Sequence, residues 1–323
     1  VMSSRGEFVI TVAESDAGRR LDSLVSARRP DCSRSFAAAL IQEGHITIQN
    51  TRKKPGYRVK TGETIQGCIP VHEPTSLQPQ AMPLNILFED NHLMVIDKPA
   101  GLVVHPGPGN ETGTLVNGLL YHCPELGGIN AEQRPGIVHR LDKDTSGLMV
   151  VAKNRSSLEN LSRQFKARKV RKIYLALVHG VVGPESGKIS LPIGRHPVDR
   201  KKMSTISTRG REAETIWRVK VRFAAATLLE LELKTGRTHQ IRVHCTSMHH
   251  PIVGDAVYTV GKLGNRKRNG SPLESLLGSA ERQMLHARHL GFTHPVDGRS
   301  MRFDAPVPED MRRIMDDLTA YIE

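Results

Sequence analysis

The sequence predicts an α+β protein, with a mixed and mostly antiparallel sheet in the larger part and a small α+β unit in front of it. Three observations point there. Short apolar runs broken by Gly and Pro recur through the second part of the chain, as many short strands require. Residues 227–233 set Leu229, Leu231 and Leu233 against Glu230 and Glu232, which buries one sheet face and wets the other. A few helical stretches are interspersed, which argues for α+β with a mixed or antiparallel sheet.

At 323 residues the chain is long enough for about two domains. Residues 71–83, VHEPTSLQPQAMP, hold three prolines among polar residues without an apolar period and read as an exposed linker. The expected division is therefore a unit over 1–75, a linker over 76–83 and a main domain over 84–323. In the first unit Leu21, Leu24 and Val25 have helical spacing. Ser33-Arg34-Ser35 opens a second helical stretch through Phe36, Leu40 and Ile41, and short strands follow around 44–48 and 59–65. The residues Arg19-Leu21-Asp22, Ser33-Arg34, Gly44, Ile48–Asn50 and Lys53 resemble the S4 RNA-binding module. Arg34, with the backbone N–H groups at its helix start, and Lys53 are the expected RNA contacts of that unit.

In the main domain the clearest strands are 93–96, 148–152, 173–178 and 227–233. A helix fits between two of them, with Leu158, Leu161 and Phe165 as its apolar stripe and Ser156/Glu159 as its capping box.

Forty-six Lys+Arg against 33 Asp+Glu leave a net charge of +13, which suits a polyanion partner. Aromatic residues are only 4%, too few for a broad base-stacking platform. Within 163–172 six residues are basic and none acidic. A second basic stretch holds Arg195, Arg200, Lys201, Lys202, Arg209 and Arg211, and a third holds Lys262, Arg266, Lys267 and Arg268. Three such runs suggest walls of an RNA channel that position the backbone rather than read bases. Cys32, Cys68, Cys123 and Cys245 form no close pair, so neither disulfides nor a zinc knuckle is expected. Nor does the spacing of His239, His244, His249 and His250 suit a metal, if 239–244 is strand-like. No apolar run is long enough for a membrane span, and VMSSRGEFVI has no signal-like stretch, so a cytoplasmic setting is expected. No dinucleotide or phosphate-loop motif is present, so no cofactor is expected.

The densest chemistry lies in His139-Arg140-Leu141-Asp142-Lys143-Asp144-Thr145-Ser146-Gly147, directly before an apolar strand. Taken alone, it could be a salt-bridged turn in which Arg140 pairs with Asp142. Further blocks accompany it: Lys98–Pro106, Lys172–Ala176 with Tyr174, Thr235–His244 (TGRTHQIRVH), and His250–Asp255. Together they resemble the RluA-type pseudouridine synthases, nearest to the RluD-like branch, over about residues 8–315. His249, where glycine is expected, departs from the pattern outside the chemical group.

The resemblance implies an isomerase that breaks the N1–C1′ bond of uridine and rejoins the base through C5 without a cofactor. It implies Asp142 as the essential carboxylate, Arg242 as the guanidinium that keeps it ionised, and Tyr174 as the residue stacked on uracil. On a strand, the flanking Ile241 and Val243 would point away from Arg242. Arg140 matches the arginine that fills the gap left by a flipped base. His139 sets the loop, and Arg237 joins the substrate-binding group. The implied substrate is 23S ribosomal RNA of the large subunit, at the helix 69 stem-loop; a monomer is expected. A non-catalytic RNA-binding or ribosome-assembly factor would keep the fold without reason to keep Asp142, Tyr174 and Arg242. A small-molecule nucleosidase fits poorly with the charge and the extra unit.

Overall fold

The computed structural model describes residues 7–29, 32, 34–68, 77–107, 109–128, 134–199, 202–259 and 271–321. Arg200, Lys201, Lys262, Arg266, Lys267, Arg268 and linker residues 71–76 fall outside them. The chain divides into two compact units, Val1–Ser76 and Leu77–Glu323.

In the first unit β1 (Glu7–Thr11), β2 (Ile46–Ile48) and β3 (Thr64–Cys68) form an antiparallel sheet in the order β1-β3-β2. Helices α1 (Leu21–Arg28) and α2 (Arg34–Glu43) complete it, and Leu21, Leu24, Val25, Leu40, Ile41, Ile46, Ile48 and Ile65 make its core. Phe36 lies within α2, as expected, and is 38% exposed.

In the second unit the strands are β4 (Ile86–Glu89), β5 (Leu93–Lys98), β6 (Ser146–Ala152), β7 (Arg171–His179), β8 (Ser186–Ile189), β9 (Gly194–Arg195), β10 (Met203–Ser204), β11 (Thr215–Arg222), β12 (Ala226–Leu233), β13 (Leu285–Thr293) and β14 (Ser300–Asp304). The helices are α3 (Leu115–His122), α4 (Arg155–Lys166), α5 (Gln240–Ser247), α6 (Pro272–Gly278) and α7 (Glu309–Thr319). A nine-stranded sheet runs β4-β5-β6-β13-β7-β12-β11-β8, with β14 on β13, and β9 and β10 pair separately. Its pairings are antiparallel except β6–β13, so the sheet is mixed.

Both faces of the middle of this sheet are covered. Along β5, Met94 and Ile96 face the core shared with α3, α5 and α7, while Leu93 and Val95 face the one under α4. Strand β6 divides the same way and is buried at every position, which explains its unbroken apolar run. Gly147, at φ +111°, lets β6 meet β13: a Cβ there would lie 2.3 Å from the Ala287 carbonyl oxygen.

Three local expectations need correction. Asn154, not Ser156, caps α4: its Oδ1 accepts the Ser157 N–H at 2.9 Å, and Ser156 and Glu159 lie within the helix. Asparagine caps as well as serine, and it stood two residues earlier than the capping-box pattern suggested. Residues 77–83, read as linker, run along α3: Gln80 donates its N–H to the Asn117 carbonyl at 3.0 Å and Met82 packs against Gly118. The segment 240–247 is helix α5, not strand. Gln240 through Cys245 are all buried, so no polar face marks a helical period, and Ile241, Val243 and Cys245 imitate strand alternation.

Candidate active site

The loop before β6 is held by its backbone. Thr145 donates its N–H to the Asp142 carbonyl at 3.1 Å, Lys98 Nζ donates to the Lys143 carbonyl at 3.0 Å, and Arg282 Nη1 donates to the Asp144 carbonyl at 3.1 Å. Three consecutive carbonyls are thus fixed from three directions. Leu141 points into the main core, leaving Asp142 partly open with its side chain 22% exposed. His139 lies under the loop. Its Nε2 accepts the Val150 N–H at 3.1 Å and its ring stacks on Phe165. Burial, helped by the Lys172 charge, pushes its pKa down to about 3, so it remains the neutral acceptor this bond needs.

Lys98 is 1% exposed, and its amine also donates to the Pro99 and Leu102 carbonyls. Burial pulls its pKa to about 7, against the pull of Asp144 and Asp142. The unfolded chain holds this proton to higher pH, so from about pH 7 upward folding is favoured increasingly by this group. Wild type is therefore expected to gain about 2–3 kcal/mol relative to Lys98→Met between pH 7 and roughly pH 9.5. Denaturant titrations of both proteins at the two pH values check this; parallel curves would refute it.

Opposite the loop, Arg242 on α5 donates from Nη1 to Asp142 Oδ2 at 3.0 Å. Its other edge grips Asp255, Nε to Oδ2 at 2.7 Å and Nη2 to Oδ1 at 3.0 Å. The Asp255 side chain is wholly buried and also accepts the N–H groups of Val257 and Tyr258. Gly254, at φ +76°, permits this turn, because a Cβ there would lie 1.9 Å from the Arg282 carbonyl oxygen. Burial lowers the Arg242 pKa, but the bonds and charges of Asp255 and Asp142 outweigh it and hold the group above the ordinary arginine range. The guanidinium is a fixed cation between two carboxylates, one buried and one offered to the cleft. Arg242 also lies over the Tyr258 ring at 5.0 Å, and the Tyr258 hydroxyl meets His239 Nδ1 at 2.9 Å. His239, at φ +54°, starts α5 and places Nε2 3.9 Å from Asp142 Oδ2.

Tyr174 on β7 pairs with Leu231 of β12 and Ala287 of β13, deep in the sheet, and its side chain lines the same cleft. Burial and the charge of Asp142 both raise its pKa, so the phenol keeps its proton; among the described residues its hydroxyl has no partner. Gln240 shapes the turn before α5. Its Oε1 accepts the Thr235 hydroxyl and the Arg237 N–H, and its Nε2 donates to the Glu214 carbonyl and Thr215 Oγ1.

The cleft so formed holds about 530 Å³, and its lining includes Arg140, Lys166, Arg168, Lys172, Arg211, Lys234, Arg237 and Arg242 with Asp142 as the acidic residue. Of the sequence candidates, Asp142, Tyr174, Arg242, Arg140, His139 and Arg237 come together here. Arg34 and Lys53 belong to the smaller unit, where Arg34 lies 3.6 Å from Asp22 and Lys53 over the Tyr57 ring. Arg140 is exposed and, among the described residues, makes no ion pair with Asp142, so the salt-bridged turn does not form. Sequence reasoning gave no role to Lys98, Asp255 or Tyr258, although Lys98 and Asp255 stood at the ends of quoted blocks. The basic runs contribute unevenly: Lys166, Arg168, Lys172 and Arg211 reach the lining, and Lys172 is buried rather than solvated.

A cleft dominated by cations, with one carboxylate in its lining held by a guanidinium, is suited to an enzyme that acts on a polyanion. Residues 92–247 match the family model of RNA pseudouridylate synthases, and residues 19–65 match the S4 domain. The chain is 46% identical, over 94% of its length and 90% of the relative's, to the ribosomal large subunit pseudouridine synthase D of Xanthomonas campestris pv. campestris. The protein of that name from Neisseria meningitidis serogroup A is 43% identical over 95% of this chain and 80% of its own. Among solved structures, human RNA pseudouridylate synthase domain containing 4 is similar at TM-score 0.55 and 28% identity, over 73% of this chain and 93% of that one. The chain belongs to the RNA pseudouridine synthases, and it is an isomerase of RNA uridine with an S4 domain in front. Among the described residues no helix is long and apolar enough to cross a membrane.

Proposed function

We propose that this chain converts uridines of large-subunit ribosomal RNA, at the helix 69 stem-loop of the 23S molecule, to pseudouridine, with Asp142 as the catalytic carboxylate. The observation that carries the reading is the Asp142–Arg242–Asp255 arrangement, which sets one carboxylate, held by a fixed guanidinium, in a cation-lined cleft. The N1–C1′ bond breaks, Asp142 stabilises or bonds the electron-poor partner, the base turns, and C5 joins C1′. The C5 proton leaves and N1 gains one, so atoms balance without a redox step. Tyr174, protonated and facing the cleft, stacks on the uracil. Two relatives carrying the large-subunit name, and the S4 match over 19–65, support this substrate class.

Incubating the full chain with a helix 69 stem-loop RNA and mapping pseudouridine tests the proposal. Conversion confined to that loop is expected, and no conversion there would overturn the substrate assignment. Arg140, exposed two residues before Asp142, is proposed to fill the space of the extruded base. Arg140→Ala is accordingly expected to slow conversion of the stem-loop about tenfold more than that of an unpaired oligonucleotide, since flipping from a stack costs a few kcal/mol. Equal losses on the two substrates would exclude the role.

A further inference from the structure

Beside the cleft, Glu212 follows Arg211 in the chain and contacts Arg168 and Arg237. Arg168 Nη1 and Nη2 donate to the two Glu212 carboxylate oxygens at 3.3 Å each, and Arg237 Nε donates to the Glu212 carbonyl at 3.0 Å. Arg211 is the neighbouring residue, with its backbone locked to Ile193 by two 2.9 Å bonds. All three arginines line the cleft. Their placement is built rather than incidental. Arg168 leaves α4 in a left-handed conformation, φ +58°, which a non-glycine residue adopts at a cost. The Arg237 N–H is fixed on the buried Gln240 side chain.

Among the described residues, only Arg168 of the three guanidiniums bonds the Glu212 carboxylate, while Arg211 and Arg168 act on Arg237 through their charges, so the cluster is short of negative charge. Burial and the charges of Arg211 and Arg168 hold the Arg237 pKa below its ordinary range despite Glu212. The Glu212 side chain is 73% exposed, and its bonds to Arg168 are long for a charge-assisted pair. An exposed pair of that kind holds weakly. We propose that Arg168, Arg211 and Arg237 form a subsite for an RNA backbone phosphate at the mouth of the cleft, and that Glu212 holds Arg168 until the phosphate displaces it. The subsite rests on the reading of RNA as substrate. Glu212 then acts as an internal competitor: it screens Arg168 from weakly bound anions and yields to a phosphate that meets all three arginines.

The test measures binding of the helix 69 stem-loop RNA to the full chain across a salt series. Arg168→Gln, Arg211→Gln and Arg237→Gln are each expected to weaken binding about three- to tenfold and to reduce the salt slope by about one. Arg155→Gln, on the exposed start of α4, is the control and is expected to leave both unchanged. Glu212→Gln is expected to tighten binding about threefold, and that gain should vanish in the Arg168→Gln background. Unchanged slopes in the three arginine variants, or a Glu212→Gln gain that survives without Arg168, would overturn the subsite. Pseudouridine mapping on the same samples separates the two readings. The expected slopes without conversion would keep the subsite and reject the substrate assignment; conversion with unchanged slopes would do the reverse.

Discussion

Asp142→Asn is expected to reduce conversion of uridine by at least about 10⁴-fold, the scale seen when an essential catalytic group is removed. Asparagine keeps the size of the side chain but removes the carboxylate proposed to stabilise the electron-poor sugar or base. The fold should survive, because Arg242 retains its bidentate hold on Asp255 and the loop keeps its three backbone anchors. RNA affinity should stay within about threefold, since phosphate contacts supply most of it. Single-turnover assays with pseudouridine mapping, beside a binding isotherm, check both parts. Conversion at an appreciable fraction of the normal rate would show that another group carries the chemistry.

Asp255→Asn is expected to have the second largest effect, although Asp255 is set back from the cleft behind Arg242. Its carboxylate satisfies two N–H groups of the Arg242 guanidinium and two backbone N–H groups. Asparagine removes the compensating charge and turns an NH₂ toward a donor. Breaking a buried pair in this way typically costs about 3–5 kcal/mol of stability. The freed guanidinium would shift relative to Asp142, and a displacement of about 1 Å is enough to cost roughly 100-fold in rate. Denaturant unfolding and single-turnover rates measured below the unfolding range separate the effects. Full activity in the folded fraction would mean that Arg242 needs no second anchor.

Much of the architecture was legible because local patterns and tertiary burial agreed. The clean alternation at 227–233 is β12, and the apolar segments at 93–96, 148–152 and 173–178 lie within β5, β6 and β7. The stripe Leu158, Leu161 and Phe165 lies on α4. Where several signals competed, the nearest pattern misled: Asn154 outcompeted Ser156 as cap, and residues 77–83 carry the proline signature of a linker yet pack along α3. At α5 the pattern carried no usable information, since a segment buried on all sides has no solvent face to set a period.

By itself the sequence determined the chemical inventory: a surplus of cations, an S4-type front unit, and the blocks holding Asp142, Tyr174 and Arg242. Tertiary structure alone decided which groups meet. Arg242 reaches Asp142 across 100 residues because a helix presents it. Asp255 becomes its anchor because Gly254 brings that turn against residue 282. Lys98 ties its own strand end to the loop before β6. Electrostatic partnership depends on distances of a few ångströms and on exclusion of water, and both are set by chain folding rather than by spacing along the chain.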